Sequence, residues 1–371
     1  MLNEMIDYYS ERDQDPGYRG EFDRRYTSGF SKFMGGGFAS LVSSGTAALY
    51  VAIAALDLPR GSDVLVSPIT DPGTMSAVIL NGLRPRLVDT DVDSFSISTA
   101  TITQRWSSNT SAILVVHPFG RAAEVGEISR LAKTQGVALI EDCSQSHGAL
   151  HHGRMVGTFG DIAAFSTMYR KIHTTGGSGG VVYTMSQDLH RHALARSDRG
   201  KPRWLADFND RDPRKYLYPA LNLNSDEFAA AIGLASIARL DETIAKRRRF
   251  VRTLVQQLEV KAPQFKSWLS GVDDSPFVVP IMISGKVTKT QKLEVAHSLL
   301  AQGVGLNPDY HFLAWDCEWL RPYLTDNFEP FNARKALDKT FFLYVNEAFA
   351  REHADYIVDL LSSASGPVQS A

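Results

Sequence analysis

The sequence predicts an α/β protein: a large domain on a mainly parallel sheet, followed by a smaller α+β domain. Three observations carry that prediction. Runs such as Ala112-Ile-Leu-Val-Val116 and Val137-Ala-Leu-Ile140 are continuously apolar, as strands covered on both faces must be. Such runs alternate with segments of helical period, which makes βαβ units and a parallel sheet. The length of 371 residues, with 44% hydrophobic and 22% charged residues, suits a globular chain of about two domains.

The elements follow in order. Residues 1–34 are polar and rich in Asp, Arg and Tyr, and read as an amphipathic, partly helical arm rather than a packed core. Ala39–Val42 reads as a strand, Ser43–Thr46 as a turn, and Ala47–Leu56 as an apolar helix ended by Pro59-Arg-Gly61. Strands follow at Asp63–Pro68 and Pro85–Asp89, with a helix over Thr74–Asn81 between them. The buried strand Ala112–His117, the helix Glu124–Lys133 and the strand Val137–Ile140 continue the alternation, and Val181–Thr184 reads as one more strand. Asp226–Arg249 is the longest helical segment, with Phe228, Ala231, Ile232, Ala235 and Ala238 on one face. Its closing run Lys246-Arg-Arg-Arg249 complements a helix dipole and reads as solvated. Beyond it come a strand at Val278–Ser284, a helix at Lys289–Gly303, a strand at Asp338–Val345 and a helix at Ala348–Leu361. The domain reading is therefore an arm over 1–34, a large domain over 35–245, a small domain over 246–361 and a disordered tail over 362–371.

Composition excludes several classes. A net charge of −2 gives no electrostatic footing for nucleic acid or an anionic membrane. The two cysteines, Cys143 and Cys317, lie far apart without metal-type spacing, so no metal and no disulfide framework is expected. No run approaches the roughly 18 apolar residues of a membrane span. The first residues carry acids where a signal peptide needs bases. A cytoplasmic protein is the expectation.

Three pieces can carry chemistry. Ser43-Ser-Gly-Thr-Ala-Ala48 sets small residues and free backbone N–H groups at a helix start, a cradle for phosphate, though an ordinary Ser/Thr cap has the same look. Glu141-Asp142 closes a buried strand, where open α/β sheets bind ligands, with Gln145 and His147 on the same rim. One carboxylate facing the crevice suits a cationic ring nitrogen, while the other turns outward or pairs locally. Ser166 and Lys171 precede the run Thr174-Thr-Gly-Gly-Ser-Gly-Gly180; a lysine buried beside a cofactor has a lowered pKa and serves as Schiff-base nucleophile and proton shuttle. Most lysines on glycine-rich turns are merely solvated. Phosphate cradle, ring-nitrogen acid and lysine, in this order, form the set that pyridoxal phosphate needs.

From about Gly35 to Leu361 the chain resembles the DegT/StrS family of pyridoxal-phosphate-dependent sugar aminotransferases, of fold type I. The pieces that carry the resemblance are Ser44-Gly-Thr-Ala-Ala-Leu49, Asp63–Thr70, Pro85–Asp91, Val116-His-Pro-Phe-Gly120, Glu141–Ala149, Gly160–Ser166 with Lys171, and Asn222–Glu227 running into an apolar helix. The resemblance implies that Lys171 forms the Schiff base and that Asp142 bonds the pyridine nitrogen. It implies that Gln145 lies against the ring, that Gly45, Thr46 and Ser166 hold the phosphate, and that Asn222 reaches the phosphate of the other subunit in a homodimer. Asn224 reads instead as the start of a capping box with Glu227. The implied reaction moves an amino group from an amino acid, L-glutamate by analogy, to a keto sugar, nucleotide-linked, in amino-sugar biosynthesis. A free keto sugar acid or cyclitol ketone, a sugar dehydration and a non-catalytic regulatory role are the alternatives. Asp71 stands where relatives usually carry an aromatic residue, and Leu223-Asn224 replaces the usual Tyr-Arg. Asp71, Arg170, His173 and His311 are the candidate substrate contacts.

Overall fold

The computed structural model describes residues 1–310 and 312–364. Two helices, α1 (Leu2–Ser10) and α2 (Glu21–Phe33), precede β1 (Phe38–Val42) and α3 (Gly45–Ala55). Then come β2 (Asp63–Val66), α4 (Pro72–Leu80), β3 (Arg84–Leu87), α5 (Thr99–Gln104), β4 (Thr110–Val116), α6 (Val125–Gln135) and β5 (Ala138–Asp142). A small hairpin of β6 (Leu150–His151) and β7 (Arg154–Met155) leads to β8 (Ile162–Ser166), β9 (Gly180–Thr184) and α7 (Gln187–Ser197).

Seven of these strands form one sheet in the order β1-β9-β8-β5-β4-β2-β3. All pairs from β8 to β3 are parallel; β9 alone is reversed, pairing antiparallel with both β8 and β1. The carboxyl ends of β1, β2, β4, β5 and β8 therefore share one edge, and the loops that leave them meet there. α3 is apolar on every side and nearly all of it is buried, as a helix enclosed between sheet and neighbours must be.

The N-terminal segment is helical, as expected, but its apolar faces join a packed core. Met5, Phe22, Tyr26 and Phe30 are fully buried in a cluster with Phe165 and Tyr183. The stripe Phe22, Tyr26, Phe30 recurs every four residues and so forms one face of α2. Buried Glu227 accepts hydrogen bonds from Tyr9 Oη (2.7 Å) and from the N–H groups of Gly20, Phe22 and Asp23, which caps the open start of α2.

The single long helix expected over 226–249 is two helices, α8 (Glu227–Ile237) and α9 (Leu240–Lys261). They part because their packing partners differ: Ala230 and Ala231 of α8 join the cluster with α2, whereas Phe250, Val251, Leu254 and Leu258 of α9 join the second domain's core. Phe228, expected on the buried face, is 44% exposed. Asp226, not Asn224, caps α8, its Oδ1 accepting from Ala229 N at 2.8 Å. The residue 245/246 boundary falls inside α9. The basic run lies mid-helix instead of in a last turn; Arg247 is buried and Arg248 donates to the carbonyls of Gly148 and Asp274.

The remaining elements are β10 (Phe265–Ser267), β11 (Val278–Ile283), α10 (Lys289–Ala301), β12 (Leu306–Asn307), α11 (Phe331–Asp338), β13 (Thr340–Tyr344) and α12 (Arg351–Ser363). Their sheet, β10-β11-β13-β12, is antiparallel and packs against α9, α10 and α12. The last helix runs past the expected tail boundary to Ser363, and residues 365–371 lie outside the described ones. Among the described residues no helix is long and apolar enough to cross a membrane.

Candidate active site

A cavity of about 640 Å³ opens where the carboxyl edge of the large sheet meets the second domain. Gly45, Thr46, Asp71, Asp142, Gln145, Ser166, Arg170 and Lys171 all line it.

Ser44 is the N-cap of α3 and its Oγ accepts from Ala47 N at 3.0 Å. Gly45 and Thr46 follow in the first turn, where backbone N–H groups have no partner within the helix. Glycine is required at 45 because a Cβ there would stand 2.5 Å from Cβ of Ser166. The start of α3 and the end of β8 thus touch, and their small polar groups share one concave wall. Gly73 is constrained likewise, since a Cβ would strike Oγ1 of Thr46.

Asp142 ends β5 and is 4% exposed. Its Oδ1 accepts from Ser144 N (3.1 Å) and its Oδ2 from Thr74 Oγ1 (3.0 Å); Thr74 is in turn 2.7 Å from Thr70 Oγ1. Glu141 points to the opposite face of the strand. It is fully buried and accepts from the N–H groups of Gly157, Phe159 and Gly160, with His117 Nε2 at 3.1 Å. The alternation of a strand explains why two adjacent carboxylates have unlike fates.

The Lys171 amine lies over the Phe277 ring at 4.5 Å from its centroid. Burial lowers its pKa from the ordinary 10.5, and the charges of Asp142 and Asp71 oppose that shift only in part. Gln145 is tied down by Phe119 N, which donates to its Oε1 at 2.8 Å, and its Nε2 donates to Tyr310 Oη at 3.4 Å. Burial pushes the Tyr310 phenol well above its ordinary value, so it stays a hydroxyl.

Two candidates lie elsewhere. His173 is fully buried away from the cavity, with Nε2 2.7 Å from Tyr26 Oη and Nδ1 3.0 Å from Ser236 Oγ; it anchors α2 and is no substrate contact. Asn222 is exposed and does not line this cavity; its Oδ1 accepts from Asn224 Nδ2 at 2.8 Å. His311 lies outside the described residues, though its neighbours Tyr310 and Phe312 line the site. Asp71 lines the cavity while capping α4, its Oδ1 accepting from Gly73 N at 2.8 Å. His147 is buried beside Phe165 without a hydrogen-bond partner and does not line the cavity.

Sequence reasoning missed Thr74, Tyr310, Phe277 and Arg247. The four-residue spacing of Thr70 and Thr74 across a helix start was a usable signal. Arg247, with Nη1 donating to Pro276 O (3.1 Å) and Nη2 to Glu347 (3.3 Å), sits in a run of like charges that hides it.

A reversed-strand parallel sheet, a helix start facing a strand-end serine, and a lysine and aspartate in the same cavity define a fold type I transferase. The chain belongs to the DegT/DnrJ/EryC1/StrS aminotransferase family, whose model matches residues 10–362. It is 32% identical over 232 residues to the GDP-perosamine synthase of Escherichia coli O157:H7, a match covering 62% of this chain and 61% of that relative. Among solved structures, the aminotransferase from Psychrobacter cryohalolentis superposes with a TM-score of 0.87 at 22% identity, over 100% of this chain and 97% of the other. The E. coli GDP-4-keto-6-deoxy-D-mannose-3-dehydratase with bound hydrated PLP superposes at 0.84 with 23% identity, over 97% of this chain and 96% of that one.

Proposed function

We propose that the chain is a pyridoxal 5′-phosphate-dependent aminotransferase that moves the amino group of an amino acid, L-glutamate first among donors, to a nucleotide-linked keto sugar. The observation that carries this reading is the Lys171 amine, buried and held toward its neutral form, in one cavity with Asp142 and the Gly45–Ser166 wall. The relatives named above support the sugar as substrate class.

The residues present fit the cofactor. The wall at Gly45, Thr46 and Ser166 leaves room that a single Cβ would fill, and it offers N–H and hydroxyl donors to a phosphate. Asp142 is fixed by Thr74 and Ser144, so its carboxylate meets a pyridinium nitrogen in a set orientation. When bound, the cofactor supplies an aldehyde that exchanges with amines and a ring that accepts electrons from the donor's α-carbon.

The chain's own residues do the rest. Lys171 Nζ, with its pKa lowered, takes the proton from the donor's α-carbon and later gives one to the carbon that bore the ketone. Asp142 would hold the ring nitrogen through its carboxylate, and Gln145 would orient the ring. Phe277, Tyr310 and Phe312 give the cavity an aromatic lining against which the reacting groups can pack. Asp71 and Arg170 at the rim offer charge to the sugar's polar groups. Asn222 of the partner subunit completes the phosphate site in a homodimer working in the cytoplasm.

The test is spectroscopic. The purified chain with pyridoxal phosphate is expected to turn yellow, bleach with L-glutamate and regain colour with a nucleotide-linked keto sugar from a panel that includes free sugars. Lys171→Ala should lose both the visible band and turnover. A colourless wild type, or a spectrum unaltered in Lys171→Ala, overturns the assignment.

A further inference from the structure

Far from that cavity, the turn of the small hairpin meets the first turn of α6. Here one donor atom from each of Glu124, His151 and His152 lies within 4.8 Å of the others. His151 is 7% exposed, and its Nε2 is buried without any hydrogen-bond partner. Glu127 Oε2, also buried and unpartnered, stands 3.7 Å from that nitrogen, while Arg130 Nη2 donates to Oε1 of the same carboxylate at 2.7 Å. The His151 ring reaches this position because residue 126 is glycine: a Cβ there would stand 2.9 Å from Nε2. Two imidazoles and two carboxylates therefore converge from two elements, and a buried nitrogen and a buried carboxylate oxygen face each other unsatisfied. Leaving such atoms bare carries a desolvation cost that a bound cation would relieve.

We propose that Glu124, His151 and His152 bind a divalent transition-metal ion of the zinc kind, with Glu127 beside His151 as further ligand or orienting carboxylate. Imidazole and carboxylate together select zinc and its neighbours over magnesium or calcium, which take all-oxygen sites. Tetrahedral zinc with bonds of about 2.0 Å sets its ligands about 3.3 Å apart. Glu124 and His152 are exposed, with room to rotate toward that spacing, while His151 is held by packing. A carboxylate behind a ligating histidine is the usual orienting arrangement at such sites.

A second His/Glu cluster shows the contrast. His117, Glu141 and Cys143 also come within ligand distance, but the His117 and Glu141 donors and acceptors are spent. Glu141 takes three N–H groups and His117, and His117 Nδ1 accepts from Ala123 N at 3.1 Å. Of these two clusters among the described residues, the hairpin one keeps its imidazole nitrogen and carboxylate oxygen vacant. An ion there would pin the hairpin to α6 just before the segment 157–160 that clamps Glu141, the neighbour of Asp142.

The experiment uses the whole chain, stripped with a chelator and titrated with zinc against a chromophoric competing chelator. Thermal midpoints are read with and without the ion. One zinc per chain, a raised midpoint and no competition from magnesium are expected. His152→Ala and Glu124→Gln each change an exposed side chain outside the cavity, so folding is preserved. Each should weaken zinc binding roughly tenfold or more. Failure to take up one ion per chain, or either variant binding like the wild type, overturns the proposal.

Discussion

Single atoms decide how this cavity works. Thr74 spends its hydroxyl proton on Asp142 Oδ2, and no other side chain of the described residues donates to that oxygen. Thr74→Val keeps the shape and removes the bond, so Asp142 loses its fixed orientation. Turnover should fall roughly tenfold to a hundredfold, as when an orienting partner is lost, with little change in the thermal midpoint; equal losses in both would make Thr74 merely structural. Gly45→Ala acts on the opposite wall. The added Cβ meets Ser166, so cofactor affinity measured by equilibrium titration should drop while the apoprotein stays folded. Both residues belong to short segments with local signatures, a serine-capped helix start and a threonine pair one turn apart. The helix-start signature was read and put Gly45 and Thr46 at the cavity; the threonine pair was not, and Asp142, Gln145, Ser166 and Lys171, which line the same cavity, were given their roles by resemblance. His173 shows the limit. Sequence distance placed it beside Lys171, whereas burial turned it the other way, toward Tyr26 and Ser236.

At the scale of elements, the same histidine ties the N-terminal helices to the large domain. Its pKa is lowered by burial from 6.5 to about 3, so the folded state keeps it neutral while the unfolded chain takes up a proton. The unfolded state then binds more protons between those values, and stability is lost as pH falls from about 6.5 toward about 3. A His173→Gln variant, which retains hydrogen-bonding groups, should show a flatter fall of thermal midpoint with acid than the wild type; parallel curves would refute the linkage. Glu227 is the other tie. It takes four hydrogen bonds, and Glu227→Gln turns acceptor capacity into donors that face other donors. A loss of about 1–3 kcal/mol in denaturant unfolding is expected, with faster proteolysis within the first twenty residues. The four-residue spacing of Phe22, Tyr26 and Phe30 was a signal of the buried face of α2 that the polar composition around it masked. The break between α8 and α9 was not, because no Pro or Gly marks it and it follows from a change of packing partner.

For the whole molecule, the position of Asn222 carries the most consequence. It leaves the large domain on an exposed segment and turns its side chain to Asn224, away from the cavity of its own chain. A second copy related by a two-fold axis would be the simplest means of bringing this side chain to the Gly45–Ser166 wall of another chain. This argument uses long-range placement, which no local motif encodes; only resemblance suggested it at the sequence level. If each site draws Lys171 from one chain and Asn222 from the other, two crippled chains can repair each other. Lys171→Ala and Asn222→Ala homodimers should both be poor enzymes. Mixed after mild dissociation, they form hybrids in which one site holds both wild-type residues and the other holds neither. Random reassortment makes half of the dimers hybrids with one good site each, so activity should return to about a quarter of wild type. No recovery, with exchange of subunits verified by mass, would place Asn222 outside the active site.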